Sequence, residues 1–264
     1  MKKISLATFE EFEEKAKHLL EDHKAKLGEK MAKITPVLFR GQAKATDILK
    51  TSLEWYSSKQ YSPKQYYYVM RNIRLTVESW TGKRWDIPDE YIPRNEAVPA
   101  APQGYEFMTY LRHHNFPSPL LDWTHSFYVA AFFAFQSSKD EEPYMAIYSL
   151  IEYCGKSKEL DYVGGCICGC GPNVRTHKRH FLQQSEYTYC TKLLPPPDDK
   201  YVYCSHEETF KKNDGEQDVL TKFIIPRTER AKVLEKLHMM NITAHSLFGS
   251  EESLLETLAY QEIK

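Results

Sequence analysis

Gln184-Ser185-Glu186 sets an amide and a carboxylate two residues apart, inside a stretch (Leu182 to Cys190) that alternates weakly in the manner of a strand. On a strand that spacing puts both side chains on one face. Such a pair suits glycosyl chemistry: the amide hydrogen-bonds a ribose, and a fixed carboxylate stabilises an oxocarbenium-like transition state at the anomeric carbon. Gln184 and Glu186 are therefore the candidate catalytic residues, and an exposed strand face is the plain alternative. Arg40 ends a short apolar run, Thr35 to Gly41. An arginine at the end of a buried strand needs a carboxylate, a phosphate or carbonyls as partner. Asp122, Trp123, Thr124, His125 and Ser126 gather just before an apolar run, Phe127 to Phe135. A helix apolar on all sides is buried, and its N-terminus favours anions. Ser126 is the natural N-cap there. Asp122 as a second cap and Trp123 as a core plug account equally well for that cluster. His113 and His114, just upstream, offer a general base, or one packed and one wet imidazole.

Cys166-x-Cys168-x-Cys170, with Cys154, Cys190 and Cys204 elsewhere and His177 and His180 nearby, raises the question of zinc. Structural zinc sites take cysteines with two to four residues between them, whereas these alternating cysteines have one. The expectation is a flexible Gly-rich loop with free thiols and no metal. The chain has no Gly-x-x-x-x-Gly-Lys-Ser/Thr loop, no Gly-x-Gly-x-x-Gly turn opening a helix and no Gly-x-Ser-x-Gly elbow.

The elements that must position these residues read as follows. Thr8-x-x-Glu11 opens a helix that Gly28 should stop. Ser62-Pro63 opens another, lined by Tyr66, Val69, Met70, Ile73, Val77 and Trp80, with Arg71 and Arg74 on its solvated side. Residues 86 to 102 hold Pro88, Pro93, Pro99 and Pro102 and read as a long loop. Tyr105 to His114 is a helix. Tyr144 to Ile151 and Val219 to Ile225 are strands, and Arg227 to Met240 and Glu251 to Tyr260 are helices. The fold class is α+β, a single domain with a central mixed or antiparallel sheet packed by helices. An N-terminal helix (1–30) precedes the main domain (31–264). At 264 residues, 42% hydrophobic, 27% charged and with a net charge of −1, the chain is globular and has no dedicated nucleic-acid surface. No signal peptide and no run of 18 apolar residues appears; six cysteines then fit reduced thiols in a cytoplasm.

Leu-Phe-Arg-Gly-Gln (38–42), followed by Thr-Ser-Leu (51–53), resembles the opening of the FRG domain, named for its Phe-Arg-Gly. His113-His114-x-x-Pro117-x-x-Leu120-Leu121-Asp122-Trp123-Thr124 resembles that family's central motif, usually Gln-His-x-Gly-Leu-Pro-Thr-Arg-Leu-Leu-Asp-Trp-Thr. Arg179 with Gln183-Gln184, and the closing Phe-Ile-Ile-Pro and Ser-Leu-Phe (246–248), continue the likeness. Arg112 and Asn115 stand where Gln and Gly are usual, Ser118-Pro119 where Thr-Arg is, and Ser185 where Gly is. The order of the three blocks is similar to the layout of ADP-ribosyltransferases: an Arg on a first strand, Ser/Thr on a second, Gln-x-Glu on a third. That resemblance implies NAD as substrate and an unidentified macromolecular acceptor, away from any membrane, in a bacterial toxin or phage-defence effector. Ligand binding would fall to Arg40, Gly41, His113, Asp122, Trp123, Thr124, Ser126, Arg179 and Gln183, with Glu186 and Gln184 catalytic. The competing reading is a non-catalytic module whose FRG and Leu-Asp-Trp-Thr motifs are structural; a metal hydrolase ranks third.

Overall fold

The computed structural model describes residues 1–92, 100–137, 142–152, 164–212 and 218–263. Pro93, Pro99 and Cys154 lie outside them. The described residues form one mixed eight-stranded sheet packed by helices. The strands are β1 (Lys2–Ser5), β2 (Val37–Gln42), β3 (Leu121–Thr124), β4 (Tyr144–Ile151), β5 (Cys166–Gly169), β6 (Ser185–Leu193), β7 (Tyr201–Tyr203) and β8 (Val219–Pro226). Their order is β1-β8-β4-β2-β3-β6-β5, with β7 also paired to β6. β1 runs parallel to β8, and the remaining pairs are antiparallel.

Along β2 the pleat sorts side chains. Val37 and Phe39 join a core shared with helices α1 (Phe9–Ile34), α5 (Phe127–Phe135) and α8 (Arg230–Met239), whereas Leu38 joins Trp123, Tyr148 and Leu150 on the other side. A third cluster gathers α3 (Pro63–Thr81), α4 (Tyr105–His113) and the tyrosines of β6, Tyr187 and Tyr189. α5 is buried along most of its length, as its all-apolar sequence requires. It lies so close to β2 that a Cβ on Gly41 would stand 1.9 Å from the Ala130 carbonyl oxygen and 2.6 Å from the Ala134 nitrogen. Only glycine fits that crossing.

The most consequential pairing is the shortest. β2 and β3 share one residue pair, Phe39 with Thr124, while β2 pairs β4 over six positions and β3 pairs β6 over four. Beyond Phe39 the two strands part, and Arg40 reaches across with Nη1 donating to the Asp122 carbonyl at 2.9 Å. A side chain here fills the place of a ladder hydrogen bond.

Several expectations are corrected. β1, β3, β5 and β7 were not legible as strands. The alternating cysteines lie on and just past β5, not in a flexible loop: the pleat turns all three to one side, with 3.8 Å between the Cys166 and Cys168 sulfurs. α1 does not stop at Gly28 but kinks there, at φ 74°, and runs on to Ile34. It buries Phe9, Phe12 and Ala16 in the same core as β2 and β8. The expected strand from Leu182 begins instead at Ser185, after a short helix α6 (Arg179–Leu182). On α3 the buried face is Tyr66, Tyr67 and Met70, and Trp80 is 91% exposed.

Candidate functional site: a cationic cavity where two strands part

A cavity of about 290 Å³ opens where β2 and β3 separate. β2 contributes Phe39, Arg40 and Gly41, and β3 contributes Asp122, Trp123 and Thr124. The C-terminal end of α4 adds Arg112, His113 and Asn115; Arg179 and Gln183 come from α6 and its end, Ser185 from β6. Phe133 of α5 and Phe248, which ends α9 (Ala244–Phe248), supply aromatic walls.

Three guanidiniums, of Arg40, Arg112 and Arg179, and one carboxylate, of Asp122, line the cavity. Asp122 Oδ2 accepts a hydrogen bond from Arg112 Nη2 and lies 3.7 Å from Arg40 Nη1. Burial disfavours the charge on Arg40; Asp122 opposes this and outweighs the repulsion from neighbouring Arg112, but the net shift stays downward. The Nε atoms of Arg40 and Arg112, and Asp122 Oδ1, are buried without a hydrogen-bond partner among the described residues. Arg179 braces the wall: Nε donates to the Phe248 carbonyl at 3.2 Å and Nη1 to the His113 carbonyl at 3.0 Å, with its guanidinium 5.4 Å from the Phe248 ring centre. Gln183 Nε2 donates to the Leu247 carbonyl at 3.2 Å. His113 adds no charge, because burial lowers its pKa to about 4. Positive charge in excess, in a partly dry cavity, calls for an anionic ligand.

Asn115 has φ 61°, a left-handed conformation that asparagine tolerates and that suits the glycine usual at this position in the resembling motif. Trp123 is a core plug: its Nε1 donates to Thr188 Oγ1 at 2.8 Å, and it is 2% exposed.

Eight of the sequence candidates therefore line one cavity: Arg40, Gly41, His113, Asp122, Trp123, Thr124, Arg179 and Gln183. Three do not. Ser126 caps α5, its Oγ accepting from Val129 N at 3.3 Å, so the α5 N-terminus is satisfied internally and the cavity instead touches that helix at Phe133. Gln184 sits before β6 in a left-handed turn (φ 49°) and is exposed, so it does not share a strand face with Glu186. Glu186 stands opposite Trp123 in the sheet register, on the opposite face from Asp122 and Tyr187. Its Oε2 lies 3.0 Å from His125 Nε2, out of line for a hydrogen bond. Arg40 and Glu186 thus do not meet in this cavity. The reading from sequence missed Arg112, Asn115, Ser185, Phe39, Phe133 and Phe248. Arg112 and Asn115 flank His113 in the central motif, which was the one available clue. No cluster of three or more His, Cys, Asp or Glu side chains placed to hold a metal occurs among the described residues, and no described helix is long and apolar enough to cross a membrane.

Comparison with known proteins gives one match: residues 35–143 fit the family model described as FRG domain. That span takes in Arg40, Gly41, Arg112, His113 and Asp122 and ends before Arg179, Gln183 and Phe248. Neither the search of curated proteins nor the search of solved structures found a match. The Phe-Arg-Gly strand and the Leu-Asp-Trp-Thr strand, joined at the rim of one cationic cavity, both lie in the segment 35–143 that matches the FRG domain.

Proposed function

We propose that this FRG-domain protein binds NAD or a related phosphate-bearing nucleotide in the cavity between β2 and β3. The observation that carries the reading is the charge balance: three guanidiniums against one carboxylate, beside a neutral histidine. Arg40 and Arg112 face the phosphate, Arg179 holds the far wall, and Phe133 and Phe248 offer flat apolar surface to a base or nicotinamide ring. At about 290 Å³ the cavity is near the lower end of ligand pockets (~300–1,000 Å³). One end of a dinucleotide occupies it, and the rest lies at its mouth.

A second reading, an ADP-ribosyltransferase-like or NAD-cleaving enzyme acting as a toxin or phage-defence effector, needs a carboxylate near the ribose. Asp122 supports it better than Glu186 does, because Asp122 lines the cavity and its Oδ1 has no hydrogen-bond partner among the described residues.

Calorimetric and thermal-shift titrations with NAD, ADP-ribose and inorganic phosphate test the binding reading. Wild type is expected to bind, and Arg112→Gln to weaken binding roughly tenfold or more, the usual cost of a charge-assisted hydrogen bond. Absence of any shift with all three ligands sinks it. Nicotinamide release decides the enzymatic reading. Release lost in Asp122→Asn and kept in Glu186→Gln assigns the reaction to this cavity. The reverse pattern moves it to the other face of the sheet, and no release by wild type leaves a binding module.

A further inference from the structure

We infer that His113 reads the ligand as a hydrogen-bond acceptor: its ring is held as the Nε2–H tautomer, so that Nδ1 offers a lone pair to an O–H or N–H carried next to the ligand's phosphate. The ligand class is then a sugar phosphate such as a ribose phosphate, and not a bare anion. The inference deepens the proposed nucleotide binding and rests on it.

The tautomer follows from a chain of hydrogen bonds with one fixed end. The Pro172 carbonyl can only accept, so His180 Nε2, 2.8 Å away, carries a proton. Burial disfavours a second proton on that ring, which leaves Nδ1 of His180 as an acceptor. The Tyr187 hydroxyl, 3.2 Å from that Nδ1, therefore donates to it, and the two rings stack with 5.7 Å between centres. With its proton committed, the Tyr187 oxygen accepts from His113 Nε2 at 2.7 Å. His113 is kept neutral by burial, so its Nδ1 is unprotonated, and among the described residues no hydrogen bond engages that atom. Tyr187 stands opposite Asp122 in the register of β3 and β6, so this relay approaches the cavity on the face that Asp122 occupies. The rest of the charged lining is three guanidiniums, all donors, and one carboxylate, whose Oδ2 is held by Arg112 and whose unengaged Oδ1 is the other acceptor a hydroxyl could meet. A neutral acceptor among cations selects a hydroxyl or amide proton.

The test is long-range proton–nitrogen NMR of the histidine rings in the full chain, titrated separately with inorganic phosphate and with ribose 5-phosphate. The expected result is His113 protonated at Nε2 before ligand, and an Nδ1 resonance that moves as a hydrogen-bond acceptor with ribose 5-phosphate and not with phosphate. Ribose 5-phosphate should bind roughly fivefold tighter than phosphate, the worth of about one hydrogen bond. Tyr187→Phe should lose that preference, leave phosphate affinity unchanged and populate both tautomers of His113. A wild-type His113 protonated at Nδ1, before ligand or on binding phosphate, overturns the inference without touching the anion site. So does binding of both probes without an Nδ1 shift. If neither probe binds while NAD or ADP-ribose does, this inference falls and the nucleotide reading stands; if none of the four binds, both fall.

Discussion

At the scale of single residues, the Phe-Arg-Gly triplet divides its labour by pleat and size. Phe39 packs in the α1–α5 core, 5.8 Å from the Phe127 ring centre, Arg40 spans the parted strands, and Gly41 admits the α5 backbone. The last of these gives the sharpest expectation. In Gly41→Ala the new methyl meets main-chain atoms of α5, which cannot rotate aside, so stability falls by ~3 kcal/mol or more. Soluble yield and thermal melting check this; a variant that melts within a degree or two of wild type shows that α5 is free to shift. The triplet was readable in the sequence because an arginine between a large apolar residue and a glycine, at the end of an apolar run, has few uses. What could not be read was Arg112: its importance lies in reaching Asp122, ten residues on, across a turn whose path depends on Asn115 and on the Ser118–Ser52 contact at 3.0 Å.

At the scale of elements, legibility tracked length and pattern. β4, β8, α3 and α4 were predictable because apolar or periodic runs defined them, with a capping box and a proline start besides for α3. β3 was not: four residues of mixed polarity, Leu-Asp-Trp-Thr, look like a loop before a helix. Their strand character comes from pairing with β6, more than sixty positions away. The same distance explains the misplaced Glu186. A sequence can place Gln184 and Glu186 two apart, but not reveal that α6 and a left-handed turn delay the strand by three residues. Ser126 was assigned to ligand and belongs to its helix. Ser126→Ala is accordingly expected to cost about 1 kcal/mol of stability, the usual worth of an N-cap, with phosphate and NAD affinities unchanged. Weaker binding at equal stability would return Ser126 to the site.

At the scale of the whole molecule, buried histidines make the fold sensitive to acid. His113 and His177 both have pKa values lowered to about 4, mainly by burial. Between the ordinary value of 6.5 and about 4, the unfolded chain takes up protons at these rings while the folded protein does not. Stability is therefore full above that window and declines as pH falls through it, by up to ~3 kcal/mol for His113 and less for the more exposed His177. Urea midpoints from pH 7 to 4 measure this, and His113→Gln should flatten the slope. A midpoint independent of pH would mean that both rings are wet.

The single Phe39–Thr124 pair between β2 and β3 has a further consequence. It makes the sheet two leaves on one stitch: β1, β8, β4 and β2 with α1, α5 and α8 on one side, and β3, β6, β5 and β7 with the tyrosine cluster on the other. Each leaf has its own ladder of main-chain bonds, and beyond the one pair what joins them is a shared apolar cluster, Leu38 and Tyr148 packing with Leu121 and Trp123. The seam is therefore where cooperativity between the leaves is weakest. Amide hydrogens of β8 and of β6 would then exchange with solvent at different rates. The anion proposed to bridge Arg40 and Arg112 would sit on the seam and draw those rates together, as a second stitch.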